Sequence, residues 1–296
     1  MGTKQIGILG IGAIGSLMTY QLGLNKNNTL FLYSRTKREQ VDLKIKSDLI
    51  SLPLNISSHP KKDQELEWLI ICIKEHHYKY AKHWFKKLIG PNTKVLVIRN
   101  GLNLKGPLLR YTHESHILES IIDAPVQWTD SNEYEVIHTP KLILPRSKVA
   151  TSFSRLLNEE HIQITFVQDF KTASWEKLAE AAALGSILCL TGETCRIFKY
   201  KKPRKLFVQL LQEIIKVAQA DGAAIDLGYI PEMVKKIKAY PPDKSSSMLM
   251  DKTWGRPIEV NAKNGIISKL GKDYGVQTPI NDTLATLLTF VNHRNF

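Results

Sequence analysis

Apolar residues follow two rhythms along this chain. Up to about residue 119 they fall in short continuous runs separated by amphipathic stretches. "KQIGIL" (4–9), "TLFLYS" (29–34), "WLIICIK" (68–74) and "TKVLVIRNG" (93–101) read as strands. The last two do not alternate with polar residues, as expected of parallel strands buried on both faces. "AIGSLMTYQLGL" and "EHHYKYAKHWFKKLI" (75–89) carry helical spacing, and "GPLLRYT" begins a further helix. Strands alternating with helices predict a parallel sheet covered on both faces. From about 120 to 168 the rhythm changes. "IIDAPVQWTD", "EYEVIHT", "KLILPR" and "IQITFVQD" read as short strands around a helix, "SKVATSFSRLLNEE", and suit a mixed extension of the same sheet. After 169 the strand signal nearly vanishes. "KTASWEKLAEAAALGSILCLTG", "KLFVQLLQEIIKVAQADG", "IPEMVKKIKAY", "EVNAKNGIISKLGKDYG" and "NDTLATLLTFVNHRNF" are all helical, and "ADG" and "DYG" place Gly where helices end. The pattern predicts an α/β domain over 1–168 and an all-α domain over 169–296.

A chain of 296 residues suffices for two such domains. Its 43% hydrophobic and 23% charged residues are those of a globular protein, and no apolar run reaches the ~18 residues of a membrane span. The glycine-broken start, "MGTKQIGILGIGAIGS", lacks the cleavage site of a signal peptide, and its sixth position lacks the Ser or Thr of a myristoylation motif. The expected location is the cytoplasm. Cys72, Cys189 and Cys195 are the three cysteines, an odd number without C-x-x-C, so neither a disulfide framework nor a zinc site is supported. The net charge of +13 admits nucleic acid, membrane or small anions as partners. The clusters "RTKR" (35–38) and "KYKKPRK" (199–205) come without any aromatic-basic motif, so neither nucleic acid nor membrane binding is expected. His76, His77 and His83 lack a carboxylate or thiol to complete a metal site, and no metal is expected.

Three features carry chemistry. Gly10-Ile11-Gly12-Ala13-Ile14-Gly15 is a G-x-G-x-x-G that directly follows a strand and opens a helix, the context of a Rossmann-type dinucleotide site. Gly10 permits the tight turn, Gly12 admits the pyrophosphate, and Gly15 lets the helix pack on the strand. The second strand then ends in Tyr33-Ser34-Arg35, with no Asp or Glu for a ribose 2′-hydroxyl. Arg35 suits a 2′-phosphate, so the expected cofactor is NADPH. Lys74 and Asn100 each follow a buried strand run, where doubly wound sheets bind ligands. Finally, Lys177 shares a helical stripe with Ala181, Leu184 and Leu188. An ammonium on an apolar stripe costs free energy unless it snorkels to water or is used.

Together these residues resemble the ketopantoate reductases (2-dehydropantoate 2-reductases), over nearly the whole chain. The likeness rests on Gly10 to Gly15, Arg35, Lys74, Asn100-Gly101, Trp175-Glu176-Lys177-Leu178, and Ser246-Ser247-Met248-Leu249-Met250-Asp251 followed by Glu259. The resemblance implies NADPH-dependent reduction of 2-dehydropantoate, a step of pantothenate biosynthesis. It implies Lys177 as general acid, Glu259 on the substrate hydroxyl, and Ser247 and Asn100 on the substrate or its carboxylate. It also implies a homodimer formed through the helical domain. The family often has Asn four and eight residues after that Lys, where this chain has Ala181 and Gly185. That change removes hydrogen bonds and is expected to open space, which makes a bulkier or less polar 2-keto acid the competing substrate. A non-catalytic NADP(H) sensor is the alternative from another class. Retained Lys177, Ser247 and Glu259 argue against it, since a sensor needs no general acid.

Overall fold

The computed structural model describes residues 3–60, 65–129, 131 and 133–293. Met1 and Gly2, which bear on the acylation motif, lie outside the described residues, as do Asp130 and the last residues of the chain, 294–296. The chain forms two compact units, Met1–Arg99 with Asn103–Gln168, and Asn100–Leu102 with Asp169–Phe296. The three residues Asn100–Leu102 thus group with the helical unit.

In the first unit, β1 (Lys4–Leu9), α1 (Ala13–Gly23), β2 (Asn28–Tyr33), β3 (Gln40–Ile45), β4 (Asp48–Pro53), β5 (Ile56–Ser57) and β6 (Trp68–Ile71) follow in order. They are succeeded by α2 (Lys82–Leu88), β7 (Lys94–Ile98), β8 (Ile117–Asp123), β9 (Val126–Trp128), β10 (Tyr134–Val136), β11 (Lys141–Pro145), α3 (Lys148–Ser154) and β12 (Gln163–Val167). The main sheet has the order β12-β11-β8-β7-β6-β1-β2-β5. β1 pairs in parallel with β2 on one side and β6 on the other, so the strand order reverses at β1. The carboxyl end of β1 is the switch point where such sheets leave a crevice for ligands.

Alternation explains why these strands read as unbroken apolar runs. Ile6, Ile8, Ile70, Leu96 and Ile98 join a core on one face with Met18 and Phe153. Leu9, Leu69, Ile71, Val95 and Val97 join a core on the other with Trp84 and Phe85. Both faces are covered, so both sets must be apolar.

Three expectations need correction. The strands after residue 120 do not all extend the main sheet. β8, β11 and β12 do, whereas β9 and β10 join β3 and β4 in a second sheet of order β4-β3-β10-β9. The β3–β4 hairpin lacks a sequence signal, because its two-residue turn is Lys46-Ser47 with Lys46 at φ 57°, not Asn-Gly. The helix expected over 75–89 is a 3-10 turn, Glu75–Tyr80, followed by α2. Its buried side survives the break, since Tyr78, Ala81, Trp84, Phe85 and Leu88 all enter one core. "GPLLRYT" gives only a 3-10 turn, Gly106–Leu108. Leu108 is buried but Leu109 is exposed, so no apolar stripe holds a longer helix there.

The second unit contains α4 (Phe170–Thr191), α5 (Lys201–Ala220), α6 (Tyr229–Ala239), α7 (Ser247–Thr253), a π turn at Asn261–Gly265, α8 (Ile266–Asp273) and α9 (Pro279–His293). The central helix is α4, buried on all sides from Ala182 to Cys189. Asp169 caps its start by accepting from Thr172 N at 2.9 Å, and Gly192 at φ 73° ends it. Around it pack α5, α7 and α9.

Candidate functional site

In the first unit the glycine-rich segment after β1 forms a tight backbone turn into α1. Gly10 has φ 97° and so turns the chain sharply out of β1. A Cβ at Gly15 would stand 1.8 Å from the Gly10 carbonyl oxygen, so only glycine lets α1 start against the turn. Gly12 differs, because a Cβ there would meet nothing within 4 Å. Nothing in the protein's own packing demands glycine at that position. In the G-x-G-x-x-G pattern this is the glycine that admits a pyrophosphate. Gly12 is also the N-cap of α1, with no side-chain cap and no acidic residue in the first turn. The first N–H groups of the helix are therefore available to an anion. The residues present fit a dinucleotide.

Arg35 lies just beyond β2, exposed, and its Nη2 donates to His77 Nδ1 at 3.1 Å. A guanidinium cannot accept, so Nδ1 is the acceptor and the imidazole proton sits on Nε2. His77 therefore holds Arg35 in place. Arg38 is placed elsewhere, over the Trp128 ring at 5.5 Å. Lys74 occupies the N-cap position of the 3-10 turn that follows β6, and its side chain does not cap that turn. Burial pushes the Cys72 thiol up to about 12, and all three cysteines are free. Among the described residues no group of three or more His, Cys, Asp or Glu could hold a metal ion. None of the described helices is long and apolar enough to cross a membrane.

The second unit holds the other predicted residues. Lys177 lies half-buried on α4, two residues after Trp175. Trp175 is fully buried, and its Nε1 donates to Asp221 Oδ2 at 2.9 Å. Tyr229 Oη donates to the Glu176 carbonyl at 2.9 Å. The turn of α4 that bears Lys177 is thus pinned on both sides. Glu180, one turn after Lys177, accepts from Lys236 Nζ at 2.8 Å and from Tyr240 Oη. Burial raises its carboxyl, but those hydrogen bonds and the charges of Lys236 and Lys177 outweigh it and hold the group below its ordinary range.

Asn100 and Glu259 are 159 residues apart and directly joined, with Asn100 Nδ2 donating to Glu259 Oε2 at 2.8 Å. Gly101 makes this possible. It has φ 100°, and a Cβ there would stand 2.8 Å from the Ala262 carbonyl oxygen. Only glycine lets this segment press against the π turn and bring Asn100 to Glu259. Ser247, at the start of α7, accepts from Lys263 Nζ at 2.9 Å. Lys263 escapes a motif search, for it stands alone in an ordinary helical pattern. Its flanks, Asn261 and Asn264, are polar and give no sign that it is buried. α7 and the π turn both pack against α4, the helix of Lys177.

The space expected at Gly185 is not there. A Cβ at Gly185 would stand 2.9 Å from Met248 Sδ, and Met248 is buried. The thioether fills the position that a side chain at 185 would take. Ala181 is only partly buried.

Comparison with known proteins identifies the family. Residues 6–144 match the model "Ketopantoate reductase PanE/ApbA", and residues 169–292 match its C-terminal counterpart. A 2-dehydropantoate 2-reductase of Mycobacterium tuberculosis is 27% identical over 285 residues, covering 96% of each chain. A dimeric ketopantoate reductase from Staphylococcus aureus superposes with a TM-score of 0.86 at 20% identity, over 99% of this chain and 100% of its own. A D-mandelate dehydrogenase bound to NADH and anilino(oxo)acetate superposes with a TM-score of 0.88 at 19% identity, over 98% and 99%. With both halves of the family pattern present and the glycine cradle formed at the sheet's switch point, the chain belongs to the ketopantoate reductase family of NADPH-dependent oxidoreductases, which act on a carbonyl–hydroxyl pair.

Proposed function

We propose that this protein reduces a 2-keto acid, in the first place 2-dehydropantoate, to its 2-hydroxy acid with NADPH, and that Lys177 is the general acid. The observation that carries this reading is the pinned turn of α4. Trp175 and Glu176 are tied to Asp221 and Tyr229, so Lys177 is held on a helix that packs against the elements bearing Ser247 and Glu259. An ammonium held this way can donate its proton to a carbonyl oxygen as negative charge develops there, and a positioned acid contributes roughly 10²–10⁴-fold. Glu259, oriented by Asn100, would accept from the substrate hydroxyl. Asn100 and Ser247 would hydrogen-bond the substrate or its carboxylate.

Gly10 to Gly15 would hold the pyrophosphate, with Arg35 and Lys74 on the 2′-phosphate side and Asn100 near the nicotinamide. When bound, that cofactor supplies the hydride. Region 1–168 thus carries the cofactor and region 169–296 the substrate and the dimer contacts, a homodimer being supported by the dimeric S. aureus relative. For a metabolic reduction of this kind the expected location is the cytoplasm.

A second reading, a different 2-keto acid, is favoured by α4 itself. Ala181 offers no hydrogen bond, and Met248 puts an apolar thioether against Gly185. The test is NADPH oxidation by the purified protein with 2-dehydropantoate and a panel of aliphatic and aromatic 2-keto acids. Saturable turnover of 2-dehydropantoate is the expected result. Turnover confined to another panel member would establish the second reading. No turnover of any, with NADPH bound, would remove both and leave a sensor.

A further inference from the structure

Among the described residues, the charged side chains less than a tenth exposed are Asp251, Glu259 and Lys263, at 8%, 7% and 1%. All three lie between α7 and the π turn. Lys263 is the most deeply buried, and a buried ammonium is costly unless its charge is used. It sits within the π turn, where Gly265 N reaches back five residues to the Val260 carbonyl at 2.9 Å. Such turns are sparse in helices and concentrate at functional sites.

Two adjacent serines set one contact of Lys263 apart from ordinary helix capping. Ser246 is occupied by the helix, accepting from Leu249 N at 3.2 Å as the cap of α7. Ser247 is exposed, and its Oγ accepts from Lys263 Nζ at 2.9 Å. An ammonium has three donors and no acceptor, so the Ser247 oxygen is the acceptor in this bond. The Ser247 hydrogen must then be offered to some other group. The hydroxyl becomes a directed donor at the surface, polarised by a cation beneath it. The ligand chemistry that matches a directed hydroxyl donor is an anionic oxygen.

We propose that Lys263 is a positioning residue that acts through Ser247 to select the carboxylate end of a 2-keto acid. This rests on the reading of the protein as a 2-keto acid reductase. In it, Lys177 serves the reacting carbonyl, while Lys263 orients the donor that holds the carboxylate, an anionic acceptor that an acid offers and its neutral amide does not.

The test compares the unaltered enzyme with Lys263→Met, Ser247→Ala and the double variant. Four quantities are read: KM and kcat for the best 2-keto acid of the panel, the same constants for its amide, the NADPH dissociation constant, and Tm. Loss of a charge-assisted hydrogen bond predicts a rise in keto acid KM of about tenfold or more in each single variant. The rise in KM should exceed any fall in kcat, and NADPH binding should be unchanged. The preference for acid over amide should shrink in Lys263→Met. The double variant should be no worse than the worse single, because both act on one contact. A KM within twofold of the unaltered enzyme in Lys263→Met, or strictly additive effects, would overturn the proposal. A lowered Tm with unchanged KM would make Lys263 a structural group and overturn it equally. Should Lys263→Met not fold, Ser247→Ala decides the matter at its exposed position, and an unchanged KM there is fatal. If the unaltered enzyme turns over no 2-keto acid, the proposed function falls and this inference with it. Turnover by the unaltered enzyme with an indifferent Lys263→Met removes this inference alone.

Discussion

The glycine turn after β1 and the polar side chains proposed for the substrate would recognise anions in opposite ways. The cradle uses backbone from six consecutive residues, Gly10 to Gly15, and its chemistry lies in the absence of side chains. The proposed substrate site draws side chains from four places, Asn100, Lys177, Ser247 and the segment from Glu259 to Lys263. Its two direct pairs span 159 and 16 residues. Backbone recognition is local because a turn and a helix start are local. Side-chain recognition is assembled by packing, so its parts can lie anywhere along the chain. The difference teaches where mutations should act on binding alone and where they should act on the fold.

The largest expected effect is at Lys177. Lys177→Ala should lower kcat/KM for the 2-keto acid by about 10²–10⁴-fold and leave NADPH affinity unchanged. Steady-state kinetics with fluorescence titration of NADPH would check both. Near-normal turnover would remove Lys177 from the chemistry.

The two inner glycines of the cradle should part company. Gly15→Ala drives a Cβ into the Gly10 carbonyl and should destabilise the protein by about 3 kcal/mol, seen as a fall in Tm. Gly12→Ala meets open space, so Tm should hold while the NADPH dissociation constant rises about tenfold or more. Equal Tm losses in the two variants would mean that Gly12 serves packing after all.

Arg35 tests the side-chain part of the cofactor site. Arg35→Ala should cost about 1.5–3 kcal/mol of NADPH binding while NADH binding changes little, which narrows the preference for NADPH about 10–100-fold. A matched loss for both cofactors would move Arg35 away from the 2′-phosphate.

The smallest effect is at Glu180. Its carboxyl is held below the ordinary value of 4.5, so it contributes stability above that pH and loses the contribution as pH falls through the depressed value. Glu180→Gln should cost about 1 kcal/mol at neutral pH and flatten the acid limb of stability. Denaturant unfolding across pH 3–7 would read the difference. An unchanged acid limb would mean that other carboxylates set it.

The boundary between what pattern reveals and what packing decides runs through particular elements. β1, α1 and the G-x-G-x-x-G are legible because the glycines, the buried strand and the helix start are contiguous. α4 is legible because Asp169, the apolar stripe and Gly192 mark it from cap to cap. The β3–β4 hairpin is not, since its strands are half-exposed and Lys46 takes a positive φ that its residue type does not announce. Met248 in the Gly185 position could not be foreseen either, because nothing in the chain says which side chain meets a helical glycine.

The sequence by itself determined the two-domain α/β and all-α architecture, the site of the dinucleotide turn, and the absence of an acidic residue after β2. Each follows from periodicity, glycine placement or a residue type at one position, and these are local properties. Only the tertiary structure decided that Asn100 orients Glu259, that Glu180 is bound by Lys236 and Tyr240, and that Lys263 lies buried beneath an exposed Ser247. Those facts depend on which helices pack together, and a buried charge acquires its meaning only from the groups that packing brings within hydrogen-bond reach.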